Sequence, residues 1–186
     1  MASIIKVDDV QDAAGNNIIN EAGDVITIGA SGDTITIPSG ATITNSGTAT
    51  GFGKVLQVVT ATDAANYSVT STSYVNSSNG LTVDITPSAT SSKIFVQVCI
   101  AKIFGEGGQN LFMTIYRDAS NIGGTEGMGI HGGFDETLPC SMSILDSPSA
   151  TSATTYQVYA KVTGGSSSNY GNANSNSSIT VFEIGA

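Results

Sequence analysis

The sequence predicts an all-β protein, and three observations predict it. Only 11% of its 186 residues are charged, under half of the usual share of about 25%, so it lacks the Glu, Lys and Arg that stabilise and solubilise exposed helices. β-Branched residues recur at a spacing of two in several stretches, as half-buried strands require. Ser, Thr, Asn and 22 Gly separate those stretches with turn chemistry. The hydrophobic share of 40% is enough to build a core and argues against disorder. The expected architecture is an N-terminal extended arm with a short β-repeat over residues 1–53, then a jelly-roll-like β-sandwich over 54–186, the whole forming a homotrimer.

The arm opens with Ile4-Ile5, Val7 and Val10, then Gly15-Asn16-Asn17 and Ile18-Ile19. Gly and Asn together favour a tight turn, which predicts two short extended pieces, with room for one helical turn over Asp8 to Ala14. A small repeat follows: Gly23-Asp-Val-Ile-Thr-Ile, Gly32-Asp-Thr-Ile-Thr-Ile and Gly40-Ala-Thr-Ile-Thr. Ile26 and Ile28 of the first unit correspond to Ile35 and Ile37 of the second and to Ile43 of the third. Units this short bury nothing alone and must stack on or pair with copies. Three are too few for a solenoid within one chain, so the isoleucines are assigned to a core shared by three chains. An ordinary β-meander packed on the second domain is the competing arrangement.

Past Gly51-Phe-Gly53 the strands lengthen and carry aromatics. Strands are predicted at 54–60, 67–69, 81–86, 93–103, 110–117, 141–146, 155–163 and 178–184. Leu81, Val83 and Ile85 alternate with Thr82, Asp84 and Thr86, and Tyr156, Val158, Ala160 and Val162 alternate with Gln157, Tyr159 and Lys161, so one face of each strand turns inward. The stretch 93–103 is apolar on nearly both faces, which suits a central strand covered by a second sheet or by another subunit. About eight strands joined by polar turns make a sandwich.

Groups that carry chemistry are few. The net charge of −9, six Lys plus Arg against fifteen Asp plus Glu, repels phosphate backbones and argues against direct nucleic-acid binding. No apolar run is long enough to insert into a bilayer, and Met1 to Lys6 lacks the apolar core of a signal peptide. Cys99, inside an apolar run, reads as a buried free thiol, and two cysteines make no disulfide framework. The single histidine, His131, stands among glycines and is expected on an exposed loop without a partner to make it a base; Asp135 and Glu136 beside it form no recognisable acid–base pair. No catalytic residue, metal ligand or cofactor site is assigned: one His and two distant Cys do not make a zinc site, and Asp24 and Asp33 are too few oxygens for calcium. The polar stretch 164–177 has the Tyr, Ser, Gly and Asn composition of recognition loops, so Asn169, Tyr170 and Asn172 are expected on an exposed loop, either a plain flexible sandwich loop or one that contacts a glycan or receptor.

Several motifs together resemble structural proteins of tailed bacteriophages. They are Lys54-Val-Leu-Gln-Val-Val, Thr72-Ser-Tyr-Val, Leu81-Thr-Val-Asp-Ile-Thr-Pro, Ser92-Lys-Ile, Tyr116-Arg-Asp, Leu145-Asp-Ser-Pro, Thr155-Tyr-Gln-Val-Tyr and Ile179-Thr-Val-Phe-Glu-Ile, with the opening Ile4-Ile-Lys-Val-Asp-Asp-Val. The resemblance implies a homotrimeric, non-enzymatic component of the outer virion surface, made in the host cytoplasm. Modules of this kind occur on capsid surfaces and at the tips of tail fibres and tailspikes, and the expected role is a capsid decoration or cement protein whose partners are its own copies, the major capsid protein or another virion protein, and a host glycan or receptor. A short tail fibre and a carbohydrate-binding module are the alternatives. The short repeat leaves no length for an extended shaft, which favours decoration.

Overall fold

A computed structural model describes residues 34, 36–44, 55–76, 81–105, 107–132, 136–164 and 166–185. Contacts divide the chain into Met1–Thr50 and Gly51–Ala186. In the first unit the described residues hold a turn in which Ala41 N–H donates to Pro38 C=O at 3.1 Å, with Gly40 at φ 87°, a conformation that a residue without Cβ adopts freely. Ile26, Ile28 and Ile35 lie outside the described residues. Ile37 and Ile43 are 47% and 59% exposed on the single chain.

The second unit is all-β among the described residues. Its strands are β1 Val55–Asp63, β2 Asn66–Val69, β3 Thr82–Ile85, β4 Lys93–Phe104, β5 Leu111–Arg117, β6 Ser120–Asn121, β7 Gly129–His131, β8 Thr137–Asp146, β9 Thr154–Val162, β10 Ser168–Gly171 and β11 Ser177–Ile184. They form two antiparallel sheets. In the large sheet β4 is central, with β8 along one edge and β11 and β10 sharing the other; β1 lies outside β11 and β2 outside β10. In the small sheet β9 and β5 are central, β3 flanks β9, and β6 and β7 share the free edge of β5.

The inward faces of both sheets contribute to one core. Ile94, Val96, Val98 and Ile100 of β4 meet Val83 and Ile85 of β3, Met113 and Ile115 of β5, and Tyr156, Val158 and Ala160 of β9. The inward residues of β9 are those that the period-two pattern assigns, and Leu81, Val83 and Ile85 are likewise buried. An ion pair joins the sheets at one end. Arg117 Nη1 of β5 donates to Asp146 Oδ1 and Oδ2 of β8 at 2.8 and 2.9 Å, and Tyr156 Oη of β9 donates to Asp146 Oδ2 at 2.7 Å.

Three sequence expectations are corrected here. The stretch 164–177 is not one loop: it contains β10, which pairs with both β2 and β4. Tyr170 is therefore buried, not exposed, with its ring 5.3 Å from that of Tyr67; Asn169 and Asn172 are half-buried. Gly171 ends β10 at φ 81°, so close to β2 that a Cβ would sit 2.1 Å from Ala65 C=O. His131 is not on an exposed loop but in β7 opposite Leu111, and is buried. Cys99 is not buried. It points out of the large sheet and is exposed.

Candidate functional site

The cysteine that turns outward marks an unexpected surface. In β4 the residues alternate: Ile94, Val96, Val98 and Ile100 enter the core, while Phe95, Gln97 and Cys99 face away from it. Among the described residues of this unit no strand forms a second layer over that outer face, and its apolar residues are half-exposed or exposed.

Strand register aligns them. Val58 of β1 lies opposite Phe182 of β11, Phe182 opposite Phe95 of β4, and Phe95 opposite Leu145 of β8. Four strands thus place four large apolar side chains in one row, with the two phenyl rings 6.0 Å apart. Val58 is 53% and Leu145 58% exposed. Toward one end of the sheet the row is extended by Val55 opposite Ile184, and by Leu56 at the irregularity between Val55 and Gln57. Toward the other end two polar rows follow, Thr60–Thr180–Gln97–Ser143 and Thr62–Ser178–Cys99–Ser141. In these, Thr60 and Thr180 share a 3.0 Å hydroxyl contact. The face therefore has an apolar end and a hydroxyl-rich end. Lysines bring charge to it: Lys93, whose Nζ donates to Ser147 Oγ at 2.7 Å, and Lys102, which follows the irregularity in β4 and lies with its Nζ 5.7 Å from the Phe104 ring centroid. None of the chain's carboxylates occupies an outward position on β1, β11, β4 or β8.

Among the described residues the edge beside this face is also open: β1 pairs only with β11, and its nine residues contain no Pro and no Lys. Soluble proteins usually blunt such an edge, because it presents unpaired backbone donors and acceptors to other chains.

Compared with known proteins, the chain matches no family model and no curated sequence.

The described residues with polar chemistry have mostly structural partners. Glu183, completely buried, points inward from β11 and accepts from Ser88 N–H at 2.7 Å, Ser88 Oγ at 2.6 Å, Ser92 Oγ at 2.7 Å and Gln57 Nε2 at 2.6 Å. Burial raises its pKa, but these donors lower it more, to about 2, so the group is a buried carboxylate anion. Among the described residues neither ring nitrogen of His131 has a hydrogen-bond partner, and none of them orients it as a general base. Cys140 sits diagonally beside Cys99 on β8, opposite Ile100. Successive residues alternate across a sheet, so the two thiols lie on opposite faces and cannot pair. Burial, and then the nearby Cys99, push the Cys140 thiol up.

The sequence marks β4 as apolar on both faces but not the outer apolar row, because the row needs the register of four strands. One signal pointed to it: the run 93–103 has more apolar residues than one buried face can use. Glu183 also carried a signal, since it has the inward parity of Ile179 and Val181.

Proposed function

We propose that this chain is a structural subunit of a tailed-bacteriophage virion. It is a capsid decoration, or cement, protein that assembles as a homotrimer of jelly-roll-like sandwiches on the outer capsid surface, with the major capsid protein as its other partner.

The observation that carries the subunit role is the row Val58–Phe182–Phe95–Leu145. Monomeric proteins rarely leave a continuous apolar patch of this kind uncovered. Covering one exposed Val or Leu side chain contributes roughly 1.5–3 kcal/mol before the costs of association. Charge selects a second copy as the occupant. A chain of net charge −9 tends to repel its own copies, and the outward positions of β1, β11, β4 and β8 carry none of the described carboxylates. The free edge of β1 borders the same face. Ile37 and Ile43 give independent support for intertwined arms, since both stand exposed on the single chain at the repeat positions that need partners. The virion location rests on the motifs that resemble phage structural proteins.

Copy number tests the location. Quantitative mass spectrometry of purified particles should find this chain in numbers comparable with the major capsid protein. A small fraction of that number would exclude decoration and fit a tail fibre.

A further inference from the structure

The outer face of the small sheet carries a chemically different feature. β9 presents Tyr159 and Lys161 outward, and β5 presents Phe112 and Tyr116. The segment 71–76 runs beside β9, with Val75 bridged to Ala160, and brings Tyr74 to the same face. Tyr116 stacks on Tyr159 with centroids 3.8 Å apart and planes 16° apart. Tyr74 meets Tyr116 edge-on at 6.3 Å and 61°. Lys161 Nζ lies 4.7 Å from the Tyr74 centroid and 5.1 Å from that of Phe112, and donates to Thr125 C=O at 3.1 Å. Tyr74, Tyr116 and Lys161 line an open depression of about 540 Å³ together with Thr72, Ser73, Asn121 and Thr125. Tyr159 does not line it, so it backs one face of Tyr116 while other parts of that ring border the cavity.

The lining narrows the ligand class. A ligand cation would need the aromatic faces that Lys161 already occupies, and would be repelled by it. An anion has no net positive field to select it, because Glu126 stands close by: burial and then the Glu126 carboxylate push the Tyr74 phenol up to about 12. The remaining fit is a neutral ligand with an apolar face and several hydroxyls. Rigid aromatic rings offer such a face at little entropic cost.

We propose that this depression binds a neutral sugar ring, its C–H face on Tyr116 and its hydroxyls bonded to Thr72, Ser73, Thr125 and the remaining N–H groups of Lys161. Asn121 is a positioning residue. Its Oδ1 accepts from Thr114 Oγ1 at 2.8 Å and from Gly123 N–H at 3.0 Å, and its Nδ2 donates to Gly124 C=O at 2.8 Å. Those bonds hold the loop that carries Thr125. The site faces away from the apolar rows of the large sheet, so it does not depend on the assembly proposed above.

Saturation-transfer NMR on the full chain tests this with the methyl glycosides of glucose, galactose, mannose and N-acetylglucosamine, and with N-acetylneuraminic acid as the anionic comparison. At least one neutral glycoside should bind, and at least tenfold more weakly to Tyr116→Ala. Thr72→Arg fills the depression from an exposed position and leaves the tyrosine stack intact, so it should abolish the signal without touching the fold. The proposal is overturned if no neutral glycoside binds, if only N-acetylneuraminic acid binds, or if Thr72→Arg binds as well as wild type.

Discussion

Ser92 donates its hydroxyl to Glu183 Oε1 across 2.7 Å, in a place that solvent does not reach. Gln57 Nε2 donates both to Glu183 Oε2 and to Thr86 C=O, so one carboxylate ties β1 and β11 of the large sheet to the connection between β3 and β4. A buried charge is tolerated only when it is this fully bonded. Glu183→Ala would leave the Ser88, Ser92 and Gln57 donors unpaired, and should lower the unfolding free energy by about 3 kcal/mol, read from urea denaturation.

The same group sets a pH dependence. Its folded pKa, about 2, lies below the ordinary glutamate value of 4.5. The native state therefore binds its proton less readily than the unfolded chain does, and the stabilisation is complete above the unfolded value. It should be lost progressively as pH falls from 4.5 toward 2. Urea midpoints measured over that interval should fall more steeply for wild type than for Glu183→Gln, which has no proton to bind.

Asp146 accepts from both Arg117 and Tyr156, and so joins β8 to β5 and β9 across the core. Its side chain is 11% exposed and that of Arg117 28%, which makes this more than a surface pair. Asp146→Ala should cost about 2–3 kcal/mol, because it strands a guanidinium and a buried phenol together. Arg117→Ala should cost less, since the Tyr156 bond remains. Paired denaturation curves would rank the two.

Tyr170 belongs to the core, not to a recognition loop. Tyr170→Ala should destabilise the sandwich by about 3–5 kcal/mol, as other aromatic truncations in cores do. A thermal melt unchanged by this substitution would mean that β10 does not pack as described.

What could be read from the sequence was local. Tyr156, Val158, Ala160 and Val162 announce an inward face because alternation is a property of one strand. β10 could not be read, since a four-residue strand rich in Ser, Asn and Gly gains its place only by pairing with β2 and with the far end of β4, both distant in the chain. β7 was hidden in the same way by Gly129 and the glycines that flank it. Cys99 was misjudged for a different reason. Its apolar surroundings were plain, but which face of β4 is covered depends on sheet topology. The apolar row also needs the register of four strands, which no single segment carries.

Sedimentation equilibrium on the full chain tests the subunit role most directly, with wild type beside Val58→Asp and Leu145→Asp. Both positions are exposed on the single chain, so the variants should keep the wild-type circular dichroism spectrum. Wild type should sediment at three times the chain mass, and each Asp variant should shift toward the monomer, because an unpaired charge is costly inside an apolar contact. A wild-type chain that remains monomeric at every concentration, or variants that assemble as wild type does, would contradict the account.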